Sequence, residues 1–193
     1  MPQGKQDLLL ELDFDKYGLS HLKNTPVYTW QDSDIDKLIN AYANENIAPV
    51  LYGPAFTPKN VQGLLALSYC RCCGKCCLPN PIKPEHPGVI VSEQDLRRIA
   101  DNSRYTYKHL NKKAPISKDP SFVQGRYLPL PCMFYDKKKG ECQIYNARPL
   151  ICSTFPVTNI PGRTGIAINV GCDYGKDIYR SVLDQMRKRS EPR

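Results

Sequence analysis

Apolar positions settle into a helical period from residue 33. Ile35, Leu38, Ile39 and Tyr42 recur at i, i+3, i+4 and i+7, one face of a helix. Ser33 or Asp34 can cap its start, and Asp34 and Asp36 suit the positive end of its dipole. The helix should end near 44–46, ahead of Pro49. Residues 1–31 show short mixed apolar runs without a period, and Pro49, Gly53, Pro54 and Pro58 make 48–60 a connector. A largely apolar run, 61–69, follows. Val89-Ile90-Val91 behind Gly88 predicts a short buried strand. Ser92 and Asp95 resemble a capping box, with Asp in place of Glu or Gln, heading a helix over about 93–101 with Leu96, Ile99 and Ala100 inward. The polar stretch 102–125, with Pro115 and Pro120, predicts an ordered loop. Phe134-Tyr135, a basic turn over 136–140 and Cys142 to Tyr145 predict a β-hairpin. Ile166, Ile168 and Val170 alternate as a strand introduced by a Pro161-Gly162 turn. Ile178, Val182, Leu183 and Met186 line a last amphipathic helix.

These elements predict a loop-rich α+β fold: short hairpin strands and peripheral helices around an irregular cysteine-rich centre. Seventeen prolines in 193 residues agree with modest regular structure. The reading divides the chain into an N-terminal helical extension (1–62), a cysteine-cluster metal-binding domain (63–175) and a C-terminal amphipathic helix (176–193). No stretch approaches the ~18–20 apolar residues of a membrane span. Leu8–Leu10, flanked by Asp7 and Glu11, make no signal-peptide core, so a cytoplasmic setting is expected. The net charge of +8 is concentrated partly at Lys137–Lys139 and in the tail at Arg187–Arg189. It reads as a solvated face and a balance to thiolate charge rather than as a nucleic-acid surface.

The cysteines decide the chemistry. Five of nine lie within Cys70-Arg71-Cys72-Cys73-Gly74-Lys75-Cys76-Cys77, and Cys132, Cys142, Cys152 and Cys172 follow. In a reducing compartment such density indicates ligands, and an odd count forbids complete pairing within the chain. Soft thiolates suit zinc, copper(I) and iron–sulfur clusters. Cys70, Cys73 and Cys76 are spaced C-x2-C-x2-C, the opening of a ferredoxin-type cluster loop, but the x3-C-P that should follow falls on Asn80-Pro81. The radical-type C-x3-C-x2-C is absent. The remaining ligands must therefore come from Cys77 or the distal sulfurs. Adjacent Cys76 and Cys77 should point apart, and the hairpin turn should bring Cys132 and Cys142 near each other. Two distal cysteines joining Cys70 and Cys73 could equally make a tetrahedral zinc site.

Cys70-x2-Cys73-Gly74-x-Cys76-Cys77 resembles the signature of the YkgJ-like cysteine-cluster proteins, a CxxCxxCC-type zinc- or iron-chelating domain. Pro131-Cys132, then Cys142-x-Ile144-Tyr145-x2-Arg148-Pro149-x2-Cys152-x2-Phe155-Pro156, resembles that family's second motif. Ser153 stands where the family has Arg, and Cys72 falls at a position the signature leaves open. The resemblance implies eight metal ligands: Cys70, Cys73, Cys76, Cys77, Cys132, Cys142, Cys152 and Cys172. It also links the chain to the cysteine-rich part of much longer flagellin lysine methylases.

The thiol number favours an iron–sulfur cluster of the 4Fe-4S type over zinc. The expected role is electron transfer, metal delivery or an accessory function, served by a protein redox or metal-acceptor partner. Two alternatives are a structural zinc module presenting a basic surface to a partner or nucleic acid, and a metal-dependent transferase component. No paired-carboxylate or Ser/His/Asp constellation marks catalytic residues, and an enzymatic role stays open. Arg148 can shape the turn between Cys142 and Cys152 or neutralise thiolate charge. Tyr145 and Phe155 read as apolar shielding, Lys75 as charge balance, Gly74 as a positive-φ turn, and His21, His86 and His109 as isolated residues.

Overall fold

The computed structural model describes residues 12–79, 88–116, 126–159 and 165–190. The chain forms two compact units: Met1–Arg71 with Pro156–Arg193, and Cys72–Phe155.

In the first unit, helix α1 (Asp32–Asn44) buries Ile35, Leu38, Ile39 and Tyr42, the face its periodicity predicts. It begins one residue before Ser33: Gln31 is the cap residue, and its N–H donates to the Asp34 carboxylate at 3.1 Å. The expected connector contains strand β1 (Val50–Tyr52) and the start of helix α2 (Pro58–Leu65). Thr57 Oγ1 accepts the Asn60 N–H at 3.3 Å, and Pro58 occupies the first turn, where its missing N–H costs nothing. β1 exists because of a distant partner. It pairs antiparallel with β7 (Gly165–Ile168), with Leu51 opposite Ile166, and β6 (Val157–Asn159) covers the other edge. As the central strand, β7 buries all four residues instead of alternating. The Pro161-Gly162 turn lies outside the described residues.

Helix α6 (Asp173–Ser190) buries Ile178, Tyr179 and Leu183. Tyr179 meets Tyr42 edge-on at 6.0 Å, and Phe14, Leu19, Leu22 and Trp30 complete the same core. The described part of the unperiodic segment, 12–31, thus contributes to the core and includes 3-10 turns at Ser20–Lys23 and Val27–Thr29.

In the second unit, β2 (Val89–Val91) pairs antiparallel with β3 (Arg126–Leu128). Helix α3 (Glu93–Asp101) follows β2, and its capping box forms as predicted. The Asp95 N–H donates to Ser92 Oγ at 3.0 Å, while the Ser92 N–H donates to the Asp95 carboxylate at 2.9 Å. Such a cap contributes about 1 kcal/mol. The stretch expected as loop carries helix α4 (Tyr107–Lys113), capped by Thr106 and buried through Leu110; residues 117–125 lie outside the described residues. Val91, Leu96, Ile99, Leu110, Leu128, Phe134 and Ile144 form this unit's own core.

The predicted hairpin is present in reduced form, β4 (Tyr135–Asp136) against β5 (Glu141–Cys142), with Tyr135 opposite Cys142. A five-residue helix, α5 (Leu150–Thr154), follows the Arg148-Pro149 turn. The fold is mixed α+β and loop-rich, as expected. Among the described residues, no helix is long and apolar enough to cross a membrane.

Candidate metal centre

The cysteine loop turns at two left-handed residues, Cys72 (φ 53°) and Gly74 (φ 73°). Gly74 heads a 3-10 turn over Lys75–Cys77, and its carbonyl accepts the Cys77 N–H at 2.8 Å. A Cβ at Gly74 would stand 2.1 Å from the Tyr135 ring, so the glycine satisfies both its φ and the hairpin's approach. The Cys132 N–H then donates to the Cys77 carbonyl at 2.7 Å, which joins the two motifs through backbone. Phe134, fully buried two residues beyond Cys132, anchors the hairpin in the core. Truncating such a side chain costs about 3–5 kcal/mol.

Five sulfurs of this unit lie within electrostatic reach of one another. Cys76 Sγ and Cys77 Sγ lie 3.9 Å apart, and the Cys77 thiol interacts with that of Cys132. Cys142 and Cys152 sense the charges of Cys76 and Cys132. The expected divergence of Cys76 and Cys77 is therefore not found. The hairpin sets Cys142 opposite Tyr135, three residues beyond Cys132, and both cysteines pack against the same core. No disulfide forms among the nine cysteines. Among the described residues, no group of three or more Cys, His, Asp or Glu side chains stands in an arrangement that could hold a metal ion. The five sulfurs supply the right donors but are not closed around a point.

Their protons are unevenly shared. Hydrogen bonds to Cys132 and Cys76 raise the Cys77 thiol, so it keeps its proton between two charged neighbours. Contact with Cys77 lowers Cys76, an exposed residue, to about 7, with help from its own backbone N–H and Arg148. A separate interaction with Cys77 lowers Cys132 to about 7 against burial, with backbone N–H groups of Phe134 and Tyr135 assisting. Burial pushes Cys142 up, and burial with three neighbouring thiolates pushes Cys152 to about 12. Arg148 opposes the rise at both. Its guanidinium lies 3.7 Å from the Tyr145 ring centroid, and its Nε donates to the Tyr145 carbonyl at 2.9 Å. Tyr145 is thus an exposed platform for a cation, not the apolar shield its sequence position suggests. Fourteen of the 27 Lys and Arg but only seven of the 19 Asp and Glu lie in Cys72–Phe155, a cationic setting for thiolates.

A pH dependence follows. Metal must compete with protons at Cys76 and Cys132, both near 7. Between pH 8 and pH 6 these two thiols alone should weaken metal binding about a hundredfold, with further loss because Cys77 must also deprotonate. Chelator competition at a series of pH values measures this, and binding at neutral pH should release protons.

The other expected ligands are placed differently. Cys73 is exposed in the loop. Cys70 and Cys172 belong to the first unit. Arg71, beside Cys70, pairs with Asp177 of α6 at 2.5 Å. Cys172 is buried at the head of α6, where its sulfur accepts the Gly175 N–H at 3.4 Å. A Cβ at Gly175 would come within 1.9 Å of the Asn169 carbonyl oxygen, so that turn also requires glycine. Ser153, in place of the family's Arg, donates its hydroxyl to the Leu150 carbonyl at 2.7 Å. His21 stands 3.3 Å from Asp34, and His109 stacks on Tyr105 at 5.1 Å. His86 lies outside the described residues.

One tie escaped the sequence reading. Asp95, 5% exposed, accepts the Leu150 N–H at 3.1 Å. Burial would raise its carboxyl, but hydrogen bonds from Ser92, Leu150 and Arg98 outweigh burial and hold it below the ordinary value. Its only sequence signal was the capping box.

Comparison with known families settles the assignment. The family model CxxCxxCC, described as "Putative zinc- or iron-chelating domain", matches residues 69–173, more than half of the 193. The chain belongs to this family. The CxxCxxCC match spans both cysteine motifs and reaches Cys172, so the chain carries a cysteine-ligated metal-binding domain of zinc- or iron-chelating type. No solved structure matches the chain.

Proposed function

We propose that this CxxCxxCC protein carries an iron–sulfur cluster of the 4Fe-4S type and uses it in electron transfer, metal delivery or an accessory role in the cytoplasm. The observation that carries the reading is the placement of Cys76, Cys77, Cys132, Cys142 and Cys152 in one compact unit, with the Cys76 and Cys77 sulfurs 3.9 Å apart and the Cys132 N–H on the Cys77 carbonyl. Such a cluster takes four thiolates, and these five sulfurs suffice. The wider ligand set adds Cys70, Cys73 and Cys172, with the metal domain over 63–175. That domain is drawn by its sulfurs; packing divides the chain at Arg71 and Pro156 instead. The partner is a protein that takes up electrons or metal. When bound, the centre supplies redox or Lewis-acid chemistry, while the chain's own residues set thiolate charge.

A second reading, a zinc site, rests on the 3.9 Å between Cys76 and Cys77 sulfurs. Zinc–thiolate bonds of about 2.3 Å give a tetrahedral edge of about 3.8 Å.

Anaerobic purification followed by iron, zinc and acid-labile sulfide quantification tests both. The cluster predicts a brown protein with a broad band near ~400 nm and sulfide equal to iron. A colourless, zinc-loaded protein without sulfide overturns it. Cys72→Ser is expected to keep the wild-type metal content, because Cys72 is exposed on a left-handed turn residue outside the meeting sulfurs. Loss of metal in that variant would remove Cys72 from the spectator role.

A further inference from the structure

The carboxylate of Asp95 is buried in the second unit, yet it belongs to neither cysteine motif. One oxygen closes the α3 cap with Ser92; the other accepts the Leu150 N–H at 3.1 Å. Leu150 is the first residue of α5, and Cys152 lies two residues on. Arg98, one turn along α3, pairs with Asp95 and donates to the Arg148 carbonyl at 2.7 Å. The two side chains thus grip the backbone on both sides of Pro149. A five-residue helix cannot hold its own orientation in water, so its direction must come from outside it. A buried charge held by several donors is costly to move, which makes it a rigid reference point.

We propose that Asp95, with Arg98, is the positioning residue that sets Cys152 and Arg148 against Cys76 and Cys132. The functional meaning of that placement rests on the metal reading above, but the placement itself is tested first, in protein stripped of metal.

Cys152 alkylation by iodoacetamide is followed by mass spectrometry in the metal-free protein, with Cys132 as internal reference. Cobalt(II) affinity and its thiolate charge-transfer band are measured in parallel. Asp95→Asn is expected to change the Cys152 rate at least fivefold relative to Cys132. It should also weaken cobalt binding tenfold or more and alter the band. Leu150→Pro removes the N–H that Asp95 accepts and otherwise replaces an exposed side chain, at a helix position that tolerates proline. It should reproduce the Cys152 change with α3 intact, which keeps the claim testable if Asp95→Asn folds poorly. Glu93→Gln, which removes an exposed acid from the same turn of α3, should change neither reading. Unchanged Cys152 reactivity in Leu150→Pro, or an equal change in Glu93→Gln, overturns the proposal. If wild-type protein takes up no cobalt, zinc or iron, the metal reading falls, and the alkylation arm still decides the positioning claim.

Discussion

Cys77→Ser is expected to lose metal almost completely, the largest single effect at the centre. A four-thiolate structural site binds zinc with about 10–16 kcal/mol, so one ligand carries roughly 3 kcal/mol, about a hundredfold in affinity. Cys77 should cost at least that much, because it does two things. It supplies a sulfur 3.9 Å from Cys76, and its thiol lowers Cys76 and Cys132. Serine keeps the size but is a poor ligand for a soft metal. Without the Cys77 thiol, the other two sulfurs should move back toward ordinary thiol values and alkylate more slowly at pH 7. Metal quantification, chelator competition and alkylation rates check the three parts. If Cys77→Ser holds full metal while Cys142→Ser and Cys152→Ser lose it, the centre is assembled without Cys77.

Arg148→Gln is expected to move half-loading with metal to higher pH by about half a unit to one unit, up to about tenfold in affinity at pH 7. Each of Cys76, Cys142 and Cys152 is lowered in part by this guanidinium. The sign follows directly: removing a cation makes the thiolates harder to form, so protons compete with metal at higher pH. Half-exposure of Arg148 keeps the effect modest. Arg148→Lys should recover only part of it, since an ammonium cannot keep both the planar face on Tyr145 and the Nε bond to its carbonyl. Metal loading of the two variants across pH 6–9 measures the shift. Equal loading curves for wild type and Arg148→Gln would confine Arg148 to a role in the turn.

Elements with strong local signals were legible. The faces of α1 and α6, the Ser92–Asp95 cap and the hairpin after Phe134 follow from residues close in sequence, because periodicity and capping chemistry act over a few residues. The misses have a common cause. β1 is three residues long and owes its existence to hydrogen bonds from β7, over a hundred residues away. β7 alternates in sequence yet buries every residue, because both of its faces are covered. Residues 12–31 carry no period because their core residues lie in turns and two short 3-10 segments rather than in one regular element. Helix α4 was hidden by the polar composition around Leu110, although Thr106 was a legible cap.

Sequence by itself determined the chemistry of this protein. Nine cysteines, their density over 70–77 and the two ordered motifs point to soft-metal ligation, since no other use of so many sulfurs suits that spacing. Tertiary structure alone decided which sulfurs meet and in what charge state. Cys76 and Cys77 sulfurs come within 3.9 Å, one backbone bond joins the loop to the hairpin at Cys132, and Gly74 lets Tyr135 close over it. Cys172 instead heads a helix. Proton sharing and desolvation depend on ångström-scale distances between segments far apart in the chain, and no spacing rule encodes them.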